Sequence, residues 1–215
     1  SLRQKMAEYY GRFAIEVTPD EIFITTGASE ALTLVFLACL DPGDEILIPE
    51  PAYANYMSMA MSCGAVVKTV LSSIDNGFAL PPIEAFEEAI TPRTKALCLF
   101  NPSNPAGAVY SRQELQELAE VLKGTDILVI ADEIYEKIVF GKSFIAAASI
   151  SEDMFERTVT INGLSKCGAM PGWRFGYTAC AIDELNKAMI SLQSQSVSNV
   201  ASIVQAGAMP VLRGE

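Results

Sequence analysis

The sequence contains no histidine. That absence removes the Ser-His and Cys-His nucleophile systems and most zinc sites, which need imidazole as base or ligand. Its five cysteines (39, 63, 98, 167 and 180) are odd in number, lie among apolar or small residues, and never form a C-x-x-C pair. Reduced thiols and a cytoplasmic setting are expected rather than a disulfide framework. Positive charge is scarce, 15 Lys and Arg against 26 Asp and Glu, for a formal charge of −11. Such a chain presents no general surface for nucleic acid or an anionic membrane, so any anion must be held by a few placed groups. Long apolar runs are missing too. The longest, Ala31 to Leu40, carries Thr33 and falls well short of the roughly 20 residues that span a bilayer. The opening S-L-R-Q-K-M-A-E-Y-Y has the pattern of an amphipathic helix rather than a secretory leader.

What is present is a large apolar complement, 50% of 215 residues, ample for a core. Thr18-Pro19-Asp20-Glu21 reads as a capped turn, followed by a β-type run at Ile22–Thr25 and an apolar helix from Glu30 to Leu40. After the Asp41-Pro42-Gly43-Asp44 turn come a strand at Glu45–Ile48, a Met-rich helix from about Tyr53 to Met61 and a strand at Ala65–Val70. A helix at Ile83–Ala89 precedes a strand at Lys95–Phe100, and Ser111-Arg112-Gln113-Glu114 is a capping box opening a helix to Lys123. Strands at Asp126–Ala131, Arg157–Ile161 and Arg174–Cys180 and a helix from Ile182 to about Ser194 complete the pattern. Strands alternating with helices of about ten residues predict βαβ units and an α/β, three-layer α/β/α architecture around a mostly parallel sheet. No repeat or linker divides the chain, so one domain is expected. The apolar helix 30–40 and the Met-rich run 57–61 are either ordinary core helices or surfaces meant to meet another unit.

The stretch Asn162 to Tyr177, N-G-L-S-K-C-G-A-M-P-G-W-R-F-G-Y, holds the most telling chemistry. A lysine among small residues in a partly desolvated setting, Lys166, can lose its proton and condense with a carbonyl. Arg174, eight residues on, has the planar fork that clamps a phosphate. Ligands of such sheets bind beyond the carboxyl ends of the strands, and the other unusual stretches fall at that edge. Gly27-Ala28-Ser29 opens a helix after a strand, a setting that suits a phosphate, or is merely a helix start. Asp132 ends an apolar strand, where a carboxylate needs a partner such as a protonated ring nitrogen or a helix to cap. Tyr135 follows three residues later. Asn104, between two prolines, either holds a ring oxygen or makes a plain turn. Tyr53 offers a flat face for stacking or packs into the core.

Together, and in this order, these pieces resemble the class I aminotransferases, the aspartate-aminotransferase-like group of fold-type-I enzymes that use pyridoxal 5'-phosphate. The matching segments are I-F-I-T-T-G-A-S-E-A-L at 22–32, D-P-G-D-E-I-L-I-P-E-P-A-Y at 41–53, N-P-S-N-P-A-G-A-V-Y at 101–110, A-D-E-I-Y-E at 131–136 and the lysine stretch at 162–177. The resemblance implies that Lys166 forms the Schiff base with the cofactor and serves as general base. It implies that Asp132 pairs with the pyridine nitrogen, Tyr135 and Asn104 hold the ring oxygen, and Tyr53 stacks on the ring. Ala28, Ser29, Ser165 and Arg174 would hold the phosphate, with Gly27 shaping the turn. Two positions depart from the family pattern: Gly163 stands where a hydroxyl residue is common, and Ala106-Gly107 replaces Thr-Gly.

The resemblance also implies ping-pong transfer of an amino group between an α-amino acid and a 2-oxo acid, in a homodimer. By the same resemblance, residues 1–215 are expected to correspond to the cofactor-binding large domain, without the N-terminal arm and C-terminal small domain of the family. The chain alone is therefore expected to show negligible turnover. The alternatives are a C–S β-lyase or related synthase on the same fold and a non-catalytic cofactor-binding fragment.

Overall fold

The structure, a computed structural model, describes residues 1–213. Its helices are α1 (Leu2–Tyr10), α2 (Ala28–Cys39), α3 (Ala54–Ser62), α4 (Ile83–Ala89), α5 (Arg112–Leu122), α6 (Glu152–Arg157), α7 (Asp183–Ser196) and α8 (Ser202–Arg213). Its strands are β1 (Ile22–Thr25), β2 (Glu45–Glu50), β3 (Val66–Leu71), β4 (Thr94–Phe100), β5 (Leu128–Asp132), β6 (Thr158–Gly163) and β7 (Gly176–Cys180). They form one seven-stranded sheet in the order β1-β7-β6-β5-β4-β2-β3. The run from β3 through β6 is parallel, whereas β7 lies antiparallel to both β6 and β1. The sheet is thus mostly parallel, as expected, with one reversed strand. The reversal has a plain cause. Parallel neighbours need a crossover, usually a helix, and residues 164–175 between β6 and β7 make only turns and the short 3-10 segment Pro171–Trp173.

The three layers follow from the two-residue period of the strands. On β4, Ala96, Cys98 and Phe100 face a core shared with α2, α3 and α7, whereas Leu97 and Leu99 face one shared with α4 and α5. A third cluster seats α1 and α8 against Phe175, Tyr177 and Ala179 beside β1. α2 is a core helix, burying Ala31, Leu32, Leu34, Val35 and Phe36. The Met-rich helix α3 is split, with Tyr56 and Ala60 buried and Met61 exposed.

Two anticipated caps form as full capping boxes, Thr18 with Glu21 and Ser111 with Glu114. Several boundaries differ from the sequence reading. Arg157 closes the short helix α6 instead of opening a strand, because its guanidinium bonds Asp153 on its own helix and the carbonyls of Thr125 and Ile127. Arg174 precedes β7 as a left-handed residue after the 3-10 turn. Neither α6 nor α8 is anticipated from the sequence. α8 carries Gly207 and Pro210 and is seated by packing on α1 and against the Trp173 ring.

Candidate active site

Because β7 runs opposite to β6, the start of β7 lies at the same sheet edge as the carboxyl ends of β1, β4, β5 and β6. That edge carries a cleft of about 220 Å³. Ala28, Ser29, Ser165 and Arg174 line it, as do Tyr53, Asn104, Asp132, Tyr135 and Lys166. Every side chain singled out in the sequence reaches this one cleft. Gly27 does not line it but supports it from beneath.

The anion end is built on backbone. Gly27 turns the chain from β1 into α2 with φ +80° and ψ 163°, a region essentially closed to other residues. Bonds from the Thr25 hydroxyl to the Gly27 carbonyl (3.0 Å) and from the Gly27 N–H to the Thr25 carbonyl (2.9 Å) fix the turn. α2 begins with no side-chain cap, so its first turn keeps the amide donors and the positive end of the helix dipole for an anion. The Arg174 guanidinium lies over Gly27, where a β-carbon would stand 2.4 Å from Nη2 and 2.9 Å from Cζ. Its left-handed backbone and a bond from Nη1 to the Pro171 carbonyl (3.0 Å) hold it there. Gly176 allows the close approach of β7, since a β-carbon on it would sit 2.3 Å from the Gly27 carbonyl carbon. No side chain fits at Gly163 either, where a β-carbon would meet the Phe175 carbonyl oxygen at 2.6 Å.

Asp132 ends β5 and shares the strand parity of Ile130, so its carboxylate emerges on the α2–α3 face. It is buried. The Tyr56 hydroxyl donates to Oδ2 at 2.8 Å and the Ile134 N–H to Oδ1 at 3.1 Å. Burial pushes the Asp132 carboxyl above the ordinary range, opposed by the Tyr56 hydroxyl, the Ile134 N–H and the positive charge of Lys166. Lys166 lies in a turn held by bonds from the Gly168 and Met170 N–H groups to the Leu164 carbonyl, both 3.2 Å. Its amine is 5.5 Å from the centre of the Tyr135 ring. The lysine is exposed rather than partly desolvated as its sequence context suggests, because its turn sits at the rim beside exposed Ala169, Pro171 and Gly172. Tyr53 stands edge-on to Tyr56, with ring centres 5.5 Å apart, and its hydroxyl accepts from Asn55 Nδ2 at 2.7 Å.

Sequence reasoning missed Tyr56, the one side chain among the described residues that bonds Asp132. No local pattern shows that bond, since it spans 76 positions and Tyr53 caps α3 rather than sharing a face of it.

The donor set fits a phosphorylated aromatic aldehyde. An uncapped helix start with two serine hydroxyls and an arginine suits a phosphate dianion. A buried, hydrogen-bonded carboxylate suits a protonated ring nitrogen, and an amine suits the aldehyde. The comparisons with known proteins agree. The model of aminotransferase class I and II matches residues 1–215. An aspartate aminotransferase of Bacillus subtilis is 40% identical over 215 residues, covering 99% of this chain and 54% of that protein. A probable aspartate/prephenate aminotransferase of Aquifex aeolicus is 42% identical over 200 residues, covering 93% of this chain and 50% of that protein. The Thermus thermophilus aspartate aminotransferase with maleate superposes with a TM-score of 0.94 at 38% identity, covering 99% of this chain and 55% of that one. An aromatic aminotransferase of Pyrococcus horikoshii gives 0.94 at 32% identity, with 99% and 56% covered. The chain belongs to the class I and II aminotransferases, a family of enzymes dependent on pyridoxal 5'-phosphate. It spans about half the length of the curated relatives it matches.

Proposed function

We propose that this chain is the cofactor-holding large domain of an aminotransferase that moves an amino group between an α-amino acid and a 2-oxo acid by a ping-pong route. The observation that carries the reading is the meeting of Arg174, the uncapped start of α2, buried Asp132 and Lys166 in one cleft. Bound there, pyridoxal 5'-phosphate supplies an aldehyde that condenses with amines and a ring that accepts the electron pair left at the substrate's α-carbon. The rest is the work of the protein's own groups. Arg174, Ser29, Ser165 and the backbone at Ala28 hold the phosphate. Asp132 accepts a hydrogen bond from the ring nitrogen and keeps it protonated. Tyr135 and Asn104 donate to the ring oxygen, and Tyr53 covers one ring face. Lys166 Nζ holds the aldehyde at rest and, as the neutral amine, takes the proton from the α-carbon and later releases it. A homodimer in the cytoplasm is the assembly and setting that the family resemblance favours.

The names of the relatives make aspartate the first amino donor to try. Residues 1–215 alone should show negligible turnover; in the whole enzyme of which they are the large domain, glutamate formed from 2-oxoglutarate with aspartate as donor is the expected result, and it should vanish in Lys166→Ala. Pyruvate and sulfide from cysteine with no 2-oxo acid present would overturn the transferase reading in favour of a lyase.

A further inference from the structure

We infer that Tyr56 is a positioning residue for Asp132 and keeps the shared proton of the Asp132–ring nitrogen pair on the nitrogen. The inference rests on the proposed cofactor reading and deepens it. Three observations converge. The Tyr56 hydroxyl donates to Asp132 Oδ2 at 2.8 Å. Its ring stacks on Phe100, with centres 5.2 Å apart and planes 18° apart, and is 2% exposed. Tyr53, the proposed ring-stacking residue, meets it edge-on from the N-cap of the same helix. Phe100 in turn pairs with Asp132 in the β4–β5 register. Tyr56 is therefore locked from below by strand β4, and its one polar atom is aimed at the carboxylate.

A hydrogen bond donated to a buried carboxylate stabilises its charged form. Two further groups favour the charged form: the Ile134 N–H bonds Oδ1 at 3.1 Å, and Lys166 acts through its charge. Cys98 and Glu133 are buried acids beside it, and the Asp132 charge pushes both of them upward. With the Tyr56 bond lost, Asp132 becomes the stronger base and draws the proton off the ring nitrogen. The ring is then a weaker electron sink.

The test uses Tyr56→Phe, which keeps the stack on Phe100, and pyridoxal 5'-phosphate labelled with ¹⁵N in the ring. In the wild type the ring nitrogen should resonate as protonated across pH 6–9. In Tyr56→Phe the signal should move toward the unprotonated position at the upper end of that range, with cofactor affinity about tenfold weaker. A wild-type ¹⁵N profile and unchanged affinity in Tyr56→Phe would overturn the inference. If Tyr56→Phe does not fold, 3-fluorotyrosine at position 56 keeps the shape and strengthens the donor. Its ¹⁵N signal should then hold the protonated position to higher pH than wild type, and no difference would overturn the inference. A wild type that takes up cofactor at Lys166 yet responds to neither change would sink only the role of Tyr56. A wild type that takes up none at Lys166 would overturn both readings.

Discussion

Replacing Gly27 by Ala should damage the anion cradle in two separable ways. The backbone at position 27, φ +80° and ψ 163°, lies where only glycine is at ease, and forcing another residue there costs about 2 kcal/mol. The new β-carbon would also stand 2.4 Å from Arg174 Nη2, about 1 Å inside ordinary contact. That overlap is with the end of a flexible, exposed side chain, so the guanidinium swings away at little cost in stability but leaves the phosphate position. We therefore expect Gly27→Ala to lower the midpoint of thermal unfolding by about 6 °C, at the 2–4 °C per kcal/mol typical of a chain this size. Affinity for pyridoxal 5'-phosphate should fall at least tenfold. Arg174→Ala should match that loss of affinity with an unfolding midpoint close to wild type. The double variant should bind no worse than Arg174→Ala and be no less stable than Gly27→Ala. Scanning calorimetry and a cofactor titration on the four proteins decide it. A Gly27→Ala protein with wild-type affinity would refute the placement of Arg174 over this turn.

Further outcomes follow from the same structure. Gly176→Ala places a β-carbon 2.3 Å from the Gly27 carbonyl carbon and 2.4 Å from the Ala28 nitrogen; backbone cannot swing away, so the loss should reach about 3 kcal/mol or more in urea unfolding. Glu133 is buried, and desolvation, aided by the Glu136 and Asp132 charges, pushes its carboxyl well above the ordinary range, with the Ala147 N–H opposing. Its stabilising contribution is thus full below about pH 4.3, the ordinary value for Glu, and is lost as pH rises through its folded value. Glu133→Gln, which can still accept from the Ala147 N–H, should be the more stable protein at pH 8, and the advantage should disappear below pH 4. Glu45 shows the opposite sign. The Thr91 hydroxyl, then Arg93 and Lys68, hold its carboxyl down at about 2. Its contribution is present above the ordinary carboxylate value and lost as pH falls toward 2, so Glu45→Gln should be destabilised at pH 7 and approach wild type in acid.

Much of this was legible in the sequence because the informative residues sit at strand ends. The alternation of Ala96, Leu97, Cys98, Leu99 and Phe100 is all apolar, as two covered faces require. Asp132 stands out because nothing but a partner explains a carboxylate at the end of such a strand. The parts that stayed hidden depend on long-range packing. α8, with a glycine and a proline in its span, owes its place to α1 and Trp173 rather than to propensity. Arg157 looks like the first residue of a strand until its bonds to Asp153, Thr125 and Ile127 are seen. Tyr56 reads as one aromatic in a Met-rich helix, and its bond to Asp132 spans 76 positions. The exposure of Lys166 was equally hidden, since a run of small residues looks the same in sequence whether it is covered or at a rim.

The central claim is that Lys166 is the amine that engages the cofactor. Incubating the protein with pyridoxal 5'-phosphate, reducing with borohydride and mapping the labelled peptide tests it most directly. One equivalent of label is expected on the peptide carrying Lys166, with none in Lys166→Ala. Label spread over surface lysines, or undiminished in Lys166→Ala, would contradict it.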